Sequence, residues 1–261
     1  MIAMEGQDTP GPGTLAKTEF LGLEFDGLDT AGALDWIARR SAESPLAYVV
    51  TPNVDHMVRL PRLGRDLRRA YEEADLLLCD SQVLARLGRL AGVQLKVAPG
   101  SDLTKTLFES LLEEGDTVCL VGGKESYASR LGELYPRLTI VQHVPPMGLL
   151  HDPAARSAAI GAIEAARARV TLLAVGSPQQ ELIAFEMQRA GRVRGTALCV
   201  GASVDFLVGQ EKRAPRWVQK ASMEWAWRLA SNPRRMAKRY LVDCPAIFPL
   251  IWDWARRRRQ G

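Results

Sequence analysis

Cysteine, histidine and unbroken apolar sequence are all scarce in this chain, and each scarcity removes a class of protein. The four cysteines, Cys79, Cys119, Cys199 and Cys244, stand far apart, with no Cys-x-x-Cys pair and no histidine beside them. They indicate neither a zinc site nor a disulfide framework and read as small core residues. His56, His143 and His151 have no serine or cysteine placed as in a nucleophilic triad, so they read as structural. No stretch approaches the ~20 consecutive apolar residues that a membrane-spanning helix needs. The N-terminal MIAMEGQDTPGPGTLAKTE carries Gly, Pro and acids where a signal sequence would be basic and then apolar, so a cytoplasmic protein is expected. Asp-x-Asp occurs nowhere, which weakens any mechanism with a metal held between a carboxylate pair and a diphosphate; neither metal nor cofactor is expected. G-x-G-x-x-G and G-x-x-x-x-G-K-[ST] are missing too, so neither a Rossmann dinucleotide site nor a P-loop is supported.

Core-forming sequence is ample. Across 261 residues, 47% hydrophobic and 25% charged fits one large globular domain or a domain with an appendage. The net charge of +4 conceals an asymmetry: from Lys212 onward there are 13 Lys and Arg against three acids (Glu224, Asp243 and Asp253), or +10, leaving −6 for residues 1–211. An acidic body with a basic tail calls for a polyanionic partner: nucleic acid, phosphorylated substrate or anionic lipid.

Short apolar runs alternate with amphipathic stretches along the chain. LGLEF precedes Thr30 to Arg40, AYVVT precedes Val54 to Glu73, and DLLLC precedes Gln82 to Leu90. DTVCLVG, LTIVQ, VTLLAVG and TALCVG continue the rhythm, with helical patterns at Glu125 to Leu134, Ala154 to Ala168 and Gln179 to Ala190. Apolar runs without strict alternation, separated by helices, predict a doubly wound α/β fold: a mainly parallel sheet with helices on both faces. The pattern changes after about Gly209. The expected organisation is a disordered lead-in at 1–18, an α/β core at 19–210 and a basic, helical, aromatic-rich appendage at 211–261.

In an open parallel sheet, ligands bind beyond the carboxyl ends of the strands. Five such ends carry polar or glycine residues: Thr51-Pro52-Asn53, Asp80-Ser81, Gly122-Gly123-Lys124, the Gly176 to Glu181 loop and the Gly201 to Asp205 loop. Plainer readings stand beside these. Gly122-Gly123 also fits an ordinary turn, Asp80 a helix N-cap, Asp205 a turn closure, and Gln180-Glu181 the solvated start of a helix.

VVTPNVDH, ADLLLCDS, GSDLTKTLFE, VCLVGGKESYASRLGELYP, LLAVGSPQQE and the block from VGASVDFLVGQEKRAPRWVQK to NPRRMAKRY resemble, in this order, the WecG/TagA/CpsF family of bacterial glycosyltransferases. The resemblance implies an inverting enzyme that moves a hexose or N-acetylhexosamine from a UDP-sugar to a polyprenyl-diphosphate-linked monosaccharide, in exopolysaccharide or cell-wall polymer assembly. It implies Asp80 as catalytic base, with Thr51 beside it and Asn53 lining the sugar site. Substrate binding falls to Gly122, Gly123, Lys124, Gln180 and Asp205, and Arg213, Arg228 and Arg235 of the appendage meet the lipid diphosphate. Three departures stand out: Cys79-Asp80-Ser81 where Ala-Asp-Gly is usual, Val97 where an arginine is common (Lys96 being the nearest cation), and Gln179 in place of a lysine. The Cys-Asp-Ser form looks like members found with exopolysaccharide assembly, such as the xanthan-type glucosyltransferase.

The tail itself interleaves Trp217, Trp225, Trp227, Tyr240, Trp252 and Trp254 with arginine, the pairing expected at a lipid headgroup boundary. An anionic membrane surface on the inner face of the plasma membrane is the expected partner, and nucleic acid is not. Deleting Pro245 to Gly261 is expected to leave the core folded. The plainer alternative is a docking helix whose aromatics fill a core groove. The competing function is a catalytically weak nucleotide-sugar-binding or polyanion-binding protein at the membrane.

Overall fold

The computed structural model describes residues 15–211, 214, 215, 218 and 223–260, the side chains of Arg235 and Arg239 aside. Most of the expected lead-in lies outside the described residues. Its last two, Lys17 and Thr18, pair in a strand. LGLEF does not enter the main sheet: β1 (Lys17–Phe20) and β2 (Leu23–Asp26) form an antiparallel hairpin with Phe20 opposite Leu23. The two residues between them, Leu21 and Gly22, have φ of 55° and 83°. A turn positive at both central positions matches the twist of the strands it joins, and glycine enters it without strain.

The main sheet is parallel throughout. Its strands are β3 (Ala47–Val50), β4 (Leu76–Leu77), β5 (Thr117–Gly122), β6 (Thr139–His143), β7 (Val170–Ala174) and β8 (Thr196–Cys199), in the order β4-β3-β8-β7-β5-β6. Neighbours along one strand enter different cores. Tyr48, Val50, Cys119, Val121, Leu173 and Cys199 join one cluster, while Val49, Val118, Leu120, Leu172 and Leu198 join another on the opposite face. On the central strands both faces are dry, so few positions there are polar and the sequence shows runs instead of alternation, while the edge strand β6 is partly exposed.

Helices cover each face, as a doubly wound fold requires. On the Tyr48 side lie α2 (Val54–Arg59), α3 (Arg65–Glu72), α4 (Gln82–Leu90), α7 (Pro153–Ala166) and α8 (Gln179–Ala190); on the other lie α1 (Thr30–Ala38), α5 (Gly100–Thr106), α6 (Tyr127–Leu134) and α9 (Ser203–Leu207). The stretch from Val54 to Glu73, expected as one helix, is broken. A 3-10 turn at Leu60–Arg62 carries Pro61, which offers no N–H to continue the ladder, and Gly64 precedes α3.

After residue 222 come α10 (Glu224–Ser231), α11 (Pro233–Ala237), a π-helical turn at Lys238–Asp243 and α12 (Ile247–Arg258). The tail's aromatics divide between two environments. Trp254 is buried in the Tyr48-side core, its ring edge-on to Phe20 at 5.1 Å and its Nε1 donating to the Glu19 carboxylate at 2.9 Å. Trp252, about half a turn away, is 67% exposed. Ile247 is buried as well, so removing Pro245 to Gly261 takes two side chains out of the core. Trp225, for which with Trp227 a core-filling docking helix is the plainer alternative, is 40% exposed and lines a cavity. Trp217 lies outside the described residues.

Candidate active site

Five strands end at one edge of the sheet, and their following loops converge there. The turn after β3 is fixed by Asn53, which caps α2 through its side chain while His56, at the third helical position, accepts from the Asn53 backbone N–H. Beyond β4, two potential cap residues stand side by side. Ser81 is the one that caps α4, accepting from the Leu84 N–H at 3.2 Å, which overturns the N-cap reading of Asp80. Asp80 is thereby left for other partners. Its Oδ1 accepts from the Gly100 N–H at 2.7 Å and its Oδ2 from Asn53 Nδ2 at 3.4 Å. Burial pushes its carboxyl up to about 6; the Gly100 N–H, Arg228 and Asn53 pull it back, and Glu224 pushes it up.

Thr51 lies beside the carboxylate. A Cβ built on Gly100 would meet Thr51 Oγ1 at 3.0 Å, Ser203 Oγ at 3.4 Å and Asp80 Oδ1 at 3.7 Å, so three polar side chains surround one glycine backbone. Thr51 also donates to the Cys199 carbonyl at 3.4 Å. Ser203 had drawn no attention in the sequence as a site residue; its position two residues past Gly201 was the available signal. Gln180 is buried and its Nε2 donates to Glu181 at 2.9 Å, while its Oε1, facing Gly201, has no hydrogen-bond partner among the described residues. Glu181 is fully buried, so the reading of Gln180-Glu181 as a solvated helix start fails.

Gly122 and Gly123 have φ of 97° and 73°. A Cβ at Gly122 would collide with the Ala174 carbonyl at 2.8 Å, and one at Gly123 with the Tyr127 ring at 2.5 Å. The plain turn reading thus explains both glycines, and the turn brings Tyr127 to Asp205, whose Oδ1 it meets at 2.5 Å. Lys124 is exposed and donates to Gln210 at 2.9 Å.

A cavity of about 710 Å³ opens in front of Asp80. Asn53, Ser101 and Asp102 line its core side, and Trp225, Arg228 and Phe248 its C-terminal side. Arg228 is ion-paired with Glu224 at 2.9 Å and stacked over Phe206 at 5.1 Å. Of the expected residues, the structure brings Asp80, Asn53 and Arg228 to this cavity with Thr51 next to it. Gln180, Asp205, Gly122, Gly123 and Lys124 gather around the ends of β5, β7 and β8. Arg213 lies outside the described residues, as does the side chain of Arg235. Lys96, the cation nearest to Val97, lines a different cavity with Asp26 and Arg89 and does not take up the arginine's place. Among the described residues, no three His, Cys, Asp or Glu side chains form a metal-ligating group.

A doubly wound parallel sheet thus carries, at its strand ends, a cavity with a carboxylate and an arginine on its walls. The model of the glycosyl transferase WecG/TagA/CpsF family matches residues 18–261, and the chain belongs to that family. Family membership makes it a glycosyltransferase of polysaccharide or cell-wall synthesis, acting on a sugar donor and a sugar acceptor.

Proposed function

We propose that the protein is an inverting transferase that moves a hexose or N-acetylhexosamine from a UDP-sugar to a polyprenyl-diphosphate-linked monosaccharide. The observation that carries this reading is Asp80: a carboxylate raised to about 6, on the wall of a cavity of about 710 Å³, with Arg228 on the opposite wall. Asp80 takes the proton of the acceptor hydroxyl as that oxygen attacks the anomeric carbon. The bond from the anomeric carbon to the diphosphate breaks on the other face, and UDP leaves with the electron pair. In this reading the Gly122-Gly123 turn, Lys124, Gln180, Asp205 and Ser203 hold the donor, Thr51 and Asn53 line the sugar, and Arg228, with Arg213 and Arg235, meets diphosphate charge.

Membrane association belongs to the same proposal. Leu241, Val242, Phe248 and Trp252 are exposed apolar side chains on the C-terminal segment, with the exposed Arg256 to Arg259 following. That combination supports attachment to an anionic inner-leaflet surface, where each cation contributes about 1 kcal/mol.

The test is a turnover screen of UDP-glucose, UDP-N-acetylglucosamine and UDP-N-acetylmannosamine on a detergent-soluble lipid-diphosphate monosaccharide. One donor is expected to give a disaccharide of inverted anomeric configuration, at a rate nearly unchanged by EDTA. Tight UDP-sugar binding without turnover on any acceptor would favour a binding protein instead.

A further inference from the structure

Behind the candidate base runs a polar chain whose inner members, Glu181 and His56, the proposed transfer does not use. At its inner end is Glu181, in the first turn of α8 and fully buried. Burial holds its carboxyl above the usual carboxylate range, with Gln180, Ser177 and Arg59 drawing it back. His56 comes next: its Nε2 lies 3.8 Å from Glu181 Oε1, within ion-pair reach. The other ring nitrogen, Nδ1, accepts the Asn53 backbone N–H at 3.1 Å, so a neutral ring carries its proton on the Glu181 side. Asn53 then accepts from Asp55 N and donates from Nδ2 to Asp80. The same unit is tied at its far side, where Arg59 Nη1 donates to the Ser177 carbonyl at 3.3 Å and the Tyr71 and Ser177 hydroxyls are 2.9 Å apart.

The residue type at position 56 is informative. A helix capping box ordinarily carries Glu or Gln at its third position, because only an acceptor for the cap N–H is required. A glutamate there would set a second carboxylate against the buried Glu181. Histidine presents an acceptor to Asn53 on one side and a donor toward Glu181 on the other.

We propose that His56 and Glu181 are positioning residues for Asp80: together they fix the Asn53 turn, and the Asn53 amide then holds the carboxylate facing the cavity. The proposal rests on Asp80 as the base. The groups that face Asp80 are the Asn53 amide and the Gly100 N–H from the core, and Arg228 and Glu224 from α10.

His56→Ala and His56→Gln test it, read by kcat, by KM and by carbon-13 NMR titration of the Asp80 carboxyl. In His56→Ala, kcat falls about tenfold or more through the misplaced base, with both KM values within a few-fold. The Asp80 carboxyl titrates above its wild-type position, since the Asn53 bond that lowers it is lost. His56→Gln, whose amide accepts from Asn53 and donates toward Glu181, restores both. A folded His56→Ala with wild-type kcat and wild-type titration overturns the proposal, and so does a folded His56→Gln as impaired as the alanine variant. If His56→Ala does not fold, His56→Gln carries the test alone: a wild-type Asp80 titration and kcat are expected, and a departure in either overturns it. The titration needs no substrate. A wild-type protein inactive with every donor would therefore defeat the transferase reading, while the shift of Asp80 still judges the positioning pair.

Discussion

Four carboxylates line the cavity, Asp55, Asp80, Asp102 and Glu224, and their partners separate them. Asp55 is ion-paired with Arg59 at 2.8 Å and Glu224 with Arg228 at 2.9 Å. Asp80 accepts from the neutral N–H groups of Gly100 and Asn53, and its removal from water decides the balance. A carboxyl lifted to about 6 is a competent base only above that pH, so kcat/KM should rise through pH 6 on its acid limb. Glu224→Gln removes a charge that raises Asp80 and should move the limb to lower pH; Arg228→Gln removes one that lowers it and should move the limb up. Asp80→Asn should keep the fold and cost about 10²- to 10⁴-fold in turnover, with donor binding within a few-fold. That Thr51, Asn53 and Asp80 lie at one edge of the sheet was legible because each comes within three residues of a strand's end. The capping role of Ser81 could not, since Asp and Ser are both good caps and only the backbone decides between neighbours. The burial of Glu181 was hidden for another reason: His56 and Tyr71, which flank it, come from far earlier in the chain.

Among the elements, strands and long helices were the legible part. Gln82–Leu90 and Gln179–Ala190 have the boundaries that their patterns predict, because helix ends are set locally by Ser81, Pro178 and the glycines beyond. Pro61 and Gly64 broke a helix whose apolar periodicity ran straight across them, a local signal overlooked in favour of a longer one. The C-terminal helix α12 has two unlike faces, one holding the buried Trp254 and the other the exposed Trp252. Its arginines and tryptophans suggest one surface role, but the ring of Trp254 needs a partner for its Nε1 once buried, and Glu19 supplies it. Trp254→Ala should therefore lower stability by about 3 kcal/mol, seen as a reduced Tm. A paired change of Phe248 and Trp252 to serine should leave Tm unchanged and reduce sedimentation with anionic vesicles. Equal loss of Tm in both variants would mean that the exposed pair also packs.

At the scale of the whole molecule, charge and shape run in the same direction. The chain's charge divides into a −6 body and a +10 tail, and Leu241, Val242, Phe248 and Trp252 are exposed on the basic part. Vesicle binding should weaken steeply with salt, as the screening length falls from about 10 Å at 0.1 M to about 3 Å at 1 M. Binding indifferent to salt would assign attachment to the apolar side chains. That charge polarity was readable by counting; the cavity was not, because its walls are separated by most of the chain. Asn53, Asp80 and Asp102 form one wall and Arg228 and Phe248 the other, while the hydrogen bond between Glu19 and Trp254 fastens the first hairpin to the last helix. The polypeptide is thus closed like a clasp. During synthesis, the strands and Asp80 emerge well before the catch that encloses them, so a nascent or prematurely stopped chain carries this carboxylate without its chamber.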